Sequence, residues 1–238
     1  MDRREIYLKD ICEIVTYKKY QEDNQVNLIS PDKDVLFVNK VICPKLPTCQ
    51  KNSEKSAYVV ISDENTLEYI SFFLNSSLGK LLLICGDNKR RLVGLTNLSK
   101  LKRAKIVIDD KVTSSCIKLE EIINFILQFS NNQQKEDLKR YSKALSSFFT
   151  HLRDYIVMEL LFPEMLEKAN ISICQPWLNE VSKLSETQNI EDTVLQLFES
   201  LLQPNNELMS NANKVRVFLT EFTDHLIEES KKNGLENK

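Results

Sequence analysis

The sequence predicts an α+β chain, with a mixed α/β domain over residues 1–118 followed by an all-α helical bundle over 119–238. Three observations predict it. Short clusters of branched and aromatic residues, broken by Asp, Asn and Pro, fill the first third as strands and turns do. From Lys118 onward, apolar residues recur at three- and four-residue spacing almost to the end, as in amphipathic helices. The 238 residues are 42% apolar with only 4 Gly and 6 Pro, a composition suited to regular elements with compact joints.

The elements follow in order. Tyr7 to Val15 opens with a short strand or a turn of helix. Val26-Asn27-Leu28-Ile29, Val35-Leu36-Phe37-Val38, Val41-Ile42-Cys43-Pro44 and Tyr58-Val59-Val60-Ile61 read as strands, and Lys45 to Ser56, with Pro47, reads as a loop. Ser62-Asp63-Glu64-Asn65 supplies capping oxygens for a helix over Leu67 to Phe73, where Leu67, Ile70, Phe73 and Leu74 share one face. In the second half, Leu119, Ile122, Ile123, Ile126 and Leu127 form an apolar stripe ahead of the polar link Ser130-Asn131-Asn132-Gln133-Gln134. Asp137 to Leu161 reads as a long amphipathic helix with Leu138, Tyr141, Leu145, Phe148, Phe149, Leu152, Ile156 and Leu160 largely on one side, ended or kinked by Pro163. Pro176 suits the first position of a helix over Trp177 to Leu184, and Ile190 to Leu202 and Asn206 to Glu229 complete the bundle.

The net charge of −2 conceals an asymmetry. Residues 1–118 carry 20 Lys and Arg against 15 Asp and Glu, and the remainder carries 12 against 19. A first half at +5 faces an anion more readily than a second half at −7, which suits a solvated or partner-facing role. The six cysteines (Cys12, Cys43, Cys49, Cys85, Cys116, Cys174) form no tight pairs, and Met1-Asp2-Arg3-Arg4-Glu5 has no apolar signal core, so a reduced cytoplasmic setting is expected. Cys43 and Cys49 lie outside common zinc spacing with no histidine near. No apolar run reaches the roughly 20 residues that span a bilayer.

No enzyme signature is present. The chain has no glycine-rich phosphate loop, no Gly-x-Ser-x-Gly turn and no paired histidine motif. His151 and His225 fall inside expected helices as surface or packing residues. Pro31-Asp32 and Asp109-Asp110-Lys111 could be arranged as a nuclease-like carboxylate and lysine set, but both read better as turns. A non-enzyme without a cofactor is expected.

The basic run Lys89-Arg90-Arg91 follows Gly86-Asp87-Asn88 and precedes Gly94, so a pliant backbone would let long cations reach phosphates or a guanine edge. Lys18, Lys19, Lys40 and Lys45 are further candidates in this half. So are Lys100, Lys102, Arg103 and Lys105, of which Lys105, at a strand start, ranks last. The bland alternative for each is a solvated surface residue. Tyr69, Phe72 and Phe73 could stack on bases, but their helical spacing favours core packing.

The stretch Leu67-Glu68-Tyr69-Ile70-Ser71-Phe72-Phe73-Leu74-Asn75-Ser76-Ser77-Leu78-Gly79-Lys80, continued by Gly86, Lys89-Arg90-Arg91 and Leu98 to Ile108, resembles the target recognition domain of type I restriction-modification specificity subunits. The resemblance covers roughly residues 5–125 and implies an order of helix, glycine-bearing loop, short helix and closing strand, with Leu74-Asn75-Ser76 as a marker of the fold. It also implies a protein that reads duplex DNA and docks a methyltransferase or restriction subunit, S-adenosylmethionine being held by another chain. The family carries two recognition domains. This chain has one, with Ile108-Asp109-Asp110-Lys111 where the proline-rich strand end and following Gln are usual. A half-length specificity protein or the recognition module of a fused methyltransferase is therefore expected, its helical half binding a partner or a second copy. The rival reading is a helical scaffold of a defence complex that does not read bases.

Overall fold

The structure, a computed structural model, describes residues 3–16, 19, 34–38, 58–80, 98–130, 136–184 and 189–220. The strands expected at Val26 to Ile29 and Val41 to Pro44, the loop at Lys45 to Ser56, the link after Ser130 and the end of the last helix lie outside these residues. Among the described residues the fold is α+β, with two small antiparallel sheets and a larger helical part.

Strand β1 (Arg3–Tyr7) passes through a 3-10 turn (Leu8–Asp10) into β2 (Glu13–Thr16). β3 (Asp34–Val38) and β4 (Tyr58–Ser62) follow, and the three-stranded sheet has the order β2-β4-β3. Helix α1 (Glu64–Asn75) leaves β4 through Asp63, whose side chain accepts the Thr66 amide at 2.9 Å, as the capping oxygens predict. Leu67, Ile70, Phe73 and Leu74 are all buried in it. A short helix α2 (Leu98–Arg103) then leads into β5 (Lys105–Asp109), which pairs with β1 so that Tyr7 faces Lys105 and Arg3 faces Asp109.

Helix α3 (Thr113–Ser130) begins ahead of Lys118, in the turn that follows β5. Thr113 donates its hydroxyl to the Asp109 carbonyl at 2.8 Å, so the strand end itself starts the helix. Leu119, Ile122, Ile123 and Ile126 are buried as the stripe predicts, whereas Leu127 is 46% exposed, at the stripe's edge. α4 (Glu136–Leu161) buries Leu145, Phe149, Leu152, Ile156 and Leu160. α3 packs on α1 and on α4, and α4 also packs on β5.

The change of period at Lys118 is consequently a change of element type and not the place where the chain divides. The compact units are Met1–Leu161 and Phe162–Lys238. The physical reason is that α3 and α4 bury their apolar stripes against α1 and β5, completing the first unit's core. A buried ion pair reinforces this seam: Arg153 of α4 donates to Glu120 of α3 at 3.2 Å, and Ser71 of α1 donates to the same carboxylate at 2.9 Å.

The second unit is helical throughout its described part. It contains α5 (Pro163–Lys168), α6 (Cys174–Val181), α7 (Ile190–Leu201) and α8, helical over residues 207–220. Pro163 takes the first helical position of α5, where no amide donor is needed. Pro176 takes the third position of α6, not the first, because the helix starts at Cys174; the first turn tolerates it for the same reason. α5 ends at Asn170 in the left-handed conformation (φ 54), with Ile171 N donating to Leu166 O and Asn170 N to Glu167 O, both at 2.9 Å. Trp177, Leu166, Ile173, Leu197 and Val215 form the core.

Candidate functional site

The 3-10 turn builds a cleft in the first unit. Leu8, fully buried, donates its amide to the Ala104 carbonyl at 2.9 Å and receives the amides of Ile11 and Cys12 on its own carbonyl, which folds the chain sharply between β1 and β2. Ser62 at the end of β4 donates to the Ile11 carbonyl at 3.2 Å and holds the turn from the sheet side. In β2, Ile14 and Val15 are buried while Glu13 and Thr16 face outward. α2 buries Leu101 and leaves Lys102 at the rim.

These elements enclose a cleft of about 660 Å3 whose polar lining includes Lys9, Lys19, Lys102, Asp10 and Glu13. Lys9 comes from the turn, Lys19 from just beyond β2, and Lys102 from α2. Among the described residues none of the three ammonium groups has a carboxylate partner within ion-pair distance. With three cations against two carboxylates the lining carries a net charge of +1. Unpaired ammonium groups around an open cleft are donors held ready for anionic oxygens, and phosphate is the anion that best uses several at once.

Cys12 also lines this cleft, but its thiol is inert. It donates to the Leu8 carbonyl at 2.9 Å, and burial pushes its pKa up to about 12, so no thiolate forms near neutral pH. Cys116 is driven the same way by burial, with Asp109 adding to it.

The sequence candidates divide unevenly. Lys19 lies in the cleft, and Lys102 joins it from the further cations. Lys18, Lys45, Lys89, Arg90 and Arg91 lie outside the described residues, as do Lys40 and Asp32. Lys105 is exposed and pairs with Glu5 at 2.8 Å. Lys9, a lone lysine between Leu8 and Asp10, carries no signal in the sequence, and only the turn's geometry selects it.

The Leu74-Asn75-Ser76 segment is structural. Ser76 donates to the Phe73 carbonyl at 2.7 Å and accepts the Gly79 amide at 2.9 Å, while Asn75 donates to Ser71 at 3.1 Å. Asp154 of α4 accepts both the amide and the hydroxyl of Ser77 at 2.7 Å, capping the helical turn over residues 77–80. Tyr69, Phe72 and Phe73 are core residues, and the Tyr69 hydroxyl donates to the Val107 carbonyl.

The remaining chemical candidates are also structural. Asp109 is buried and accepts Arg3 Nε at 3.5 Å and Lys111 N at 3.1 Å, so Asp109-Asp110-Lys111 is a turn. His151 is exposed and bonds the Ser147 carbonyl of its own helix at 2.6 Å. Among the described residues no group of His, Cys, Asp or Glu could hold a metal ion, and no helix is long and apolar enough to cross a membrane.

The second unit has a cleft of about 390 Å3 beside Glu180. Burial pushes this carboxyl up, but hydrogen bonds from Ser200 (2.6 Å), Lys183 (2.9 Å) and Asn206 (3.0 Å) outweigh it and hold the pKa below the ordinary glutamate value. Its oxygens are thus occupied in fastening α6 to the end of α7 and the start of α8. No protein-family model matches the chain, and neither does any curated protein or solved structure.

Proposed function

We propose that the chain is a DNA-recognition module of a restriction-modification or related defence system, binding duplex DNA with its first unit and docking a methyltransferase or nuclease partner, or a second copy, through its helical second unit. The observation that carries the reading is the convergence of Lys9, Lys19 and Lys102 on one cleft in the basic half of the chain. Such cations fix register on the phosphate backbone, and base reading is left to other side chains. The element order supports it too. Helix α1, the Leu74-Asn75-Ser76 turn, short helix α2 and strand β5 follow the order that the family resemblance implies. For the second unit, the excess of acidic over basic residues in the chain's second half suits a solvated or partner-facing role.

Asp10 and Glu13 fit the same reading. A carboxylate facing DNA is repelled by phosphate, yet it can accept a hydrogen bond from the amino group of cytosine. Catalysis, and any S-adenosylmethionine, would belong to the partner.

The test is a titration of a random duplex pool at low and physiological salt. The expected result is binding that falls steeply with salt. Changing Lys9, Lys19 and Lys102 together to Gln should lower the log-log salt slope by roughly one per lysine. The triple change of Lys89, Arg90 and Arg91 to Ala, run alongside, tests the basic run separately. Absence of binding at either salt would leave the non-reading scaffold as the better account.

A further inference from the structure

Lys9 of the cleft also reaches the ring of Tyr7. Tyr7, the last residue of β1 and 40% exposed, has two ammonium groups over its ring: Lys9 Nζ is 5.4 Å and Lys105 Nζ 5.5 Å from its centroid. Both distances fall within cation–π range, so the cations hold the ring by its electron-rich face. Lys105 is placed there by the β1–β5 register, which sets it opposite Tyr7. Among the described residues the Tyr7 hydroxyl has no hydrogen-bond partner. Lys105 pairs with Glu5, but both side chains are more than half exposed, so water screens the pair and a phosphate can compete with the carboxylate.

Resting on the DNA-recognition reading, we infer that Tyr7, with Lys9 and Lys105, is a backbone-phosphate contact that extends the Lys9–Lys19–Lys102 cleft along the end of β1. The hydroxyl would donate to a phosphate oxygen, and the two ammonium groups would supply the charge that draws the strand there. Lys9 belongs to both the cleft and the tyrosine pair, which makes the surface continuous. A phosphate contact carries no base information, so its removal affects all sequences alike.

The experiment compares the full chain with Tyr7→Phe and, separately, Lys9→Gln, on several duplexes of unrelated sequence across a salt series. Thermal unfolding of each variant serves as a check on folding. Tyr7→Phe keeps the ring and removes only the donor. It should weaken every duplex by a similar factor, roughly three- to tenfold, with the salt slope unchanged. Lys9→Gln should lower the slope by about one. Salt-sensitive binding by the wild-type chain with Tyr7→Phe indistinguishable from it, or a Tyr7→Phe loss confined to one sequence, would overturn this contact and leave the recognition reading standing. No binding by the wild-type chain would overturn both.

Discussion

Gly79 shows how one residue can be required by its neighbours. A Cβ on it would lie 2.1 Å from the Phe73 carbonyl oxygen and 2.9 Å from Leu74 Cα, both backbone atoms that cannot swing aside. The close approach lets the Gly79 amide reach Ser76 Oγ at 2.9 Å, which turns the chain after α1. Gly79→Ala should therefore force the turn open and lower stability by roughly 1–3 kcal/mol, the usual range for overpacking. The check is a urea unfolding curve in which the midpoint falls and the slope stays constant. Ser76 and Ser77 ahead of it act through hydrogen bonds, so the segment Leu74 to Gly79 explains its own composition without any contact to DNA.

Between elements, the first unit depends on the α1–α3–α4 seam. Glu120 and Arg153 are both buried and bonded to each other, with Ser71 as the carboxylate's other partner and Arg153 Nε left without one. Removing one charge strands the other. Arg153→Met should cost about 3–5 kcal/mol, because Glu120 would keep only Ser71 to offset its desolvation. Adding Glu120→Gln should recover most of that loss, since the amide oxygen still accepts from Ser71 and no buried charge remains. Chemical unfolding of the two single variants and the double measures the coupling directly. A double variant as unstable as Arg153→Met would mean that the seam rests on packing shape and not on the ion pair.

The whole molecule divides into two compact units, and acid should act on the second through Glu180. Trp177, the chain's single tryptophan, is fully buried in the second unit, so its fluorescence follows that unit. Glu180 has a folded pKa below its ordinary 4.5, which makes its contribution complete above that value and lost as pH falls through the lowered one. At neutral pH, Glu180→Gln should destabilise the second unit by weakening the bonds from Ser200, Lys183 and Asn206. The gap from wild type should narrow as the pH falls below the ordinary glutamate value and close as it passes through the lowered one. Tryptophan-monitored unfolding at a series of pH values reads this, and a gap independent of pH would show that the charge on Glu180 contributes nothing.

Much of the secondary structure is legible in the sequence because its causes are local. Asp63 three residues before Thr66, the 3.6-residue stripes from Leu119 to Ile126 and from Leu145 to Leu160, and Pro163 after Leu161 each act within a turn or two of chain, so spacing alone reveals them. The core role of Tyr69, Phe72 and Phe73 follows from the same periodicity. Residues far apart in the chain are another matter. Lys9, Lys19 and Lys102 meet because the Leu8 amide bonds Ala104, Tyr7 stands beside Lys105 through the β1–β5 register, and the first unit extends to Leu161 because the stripes of α3 and α4 find their partners on α1 and β5. An apolar stripe states that a face must be buried but not against what. That choice, and with it the cleft, is made only when the whole chain has packed.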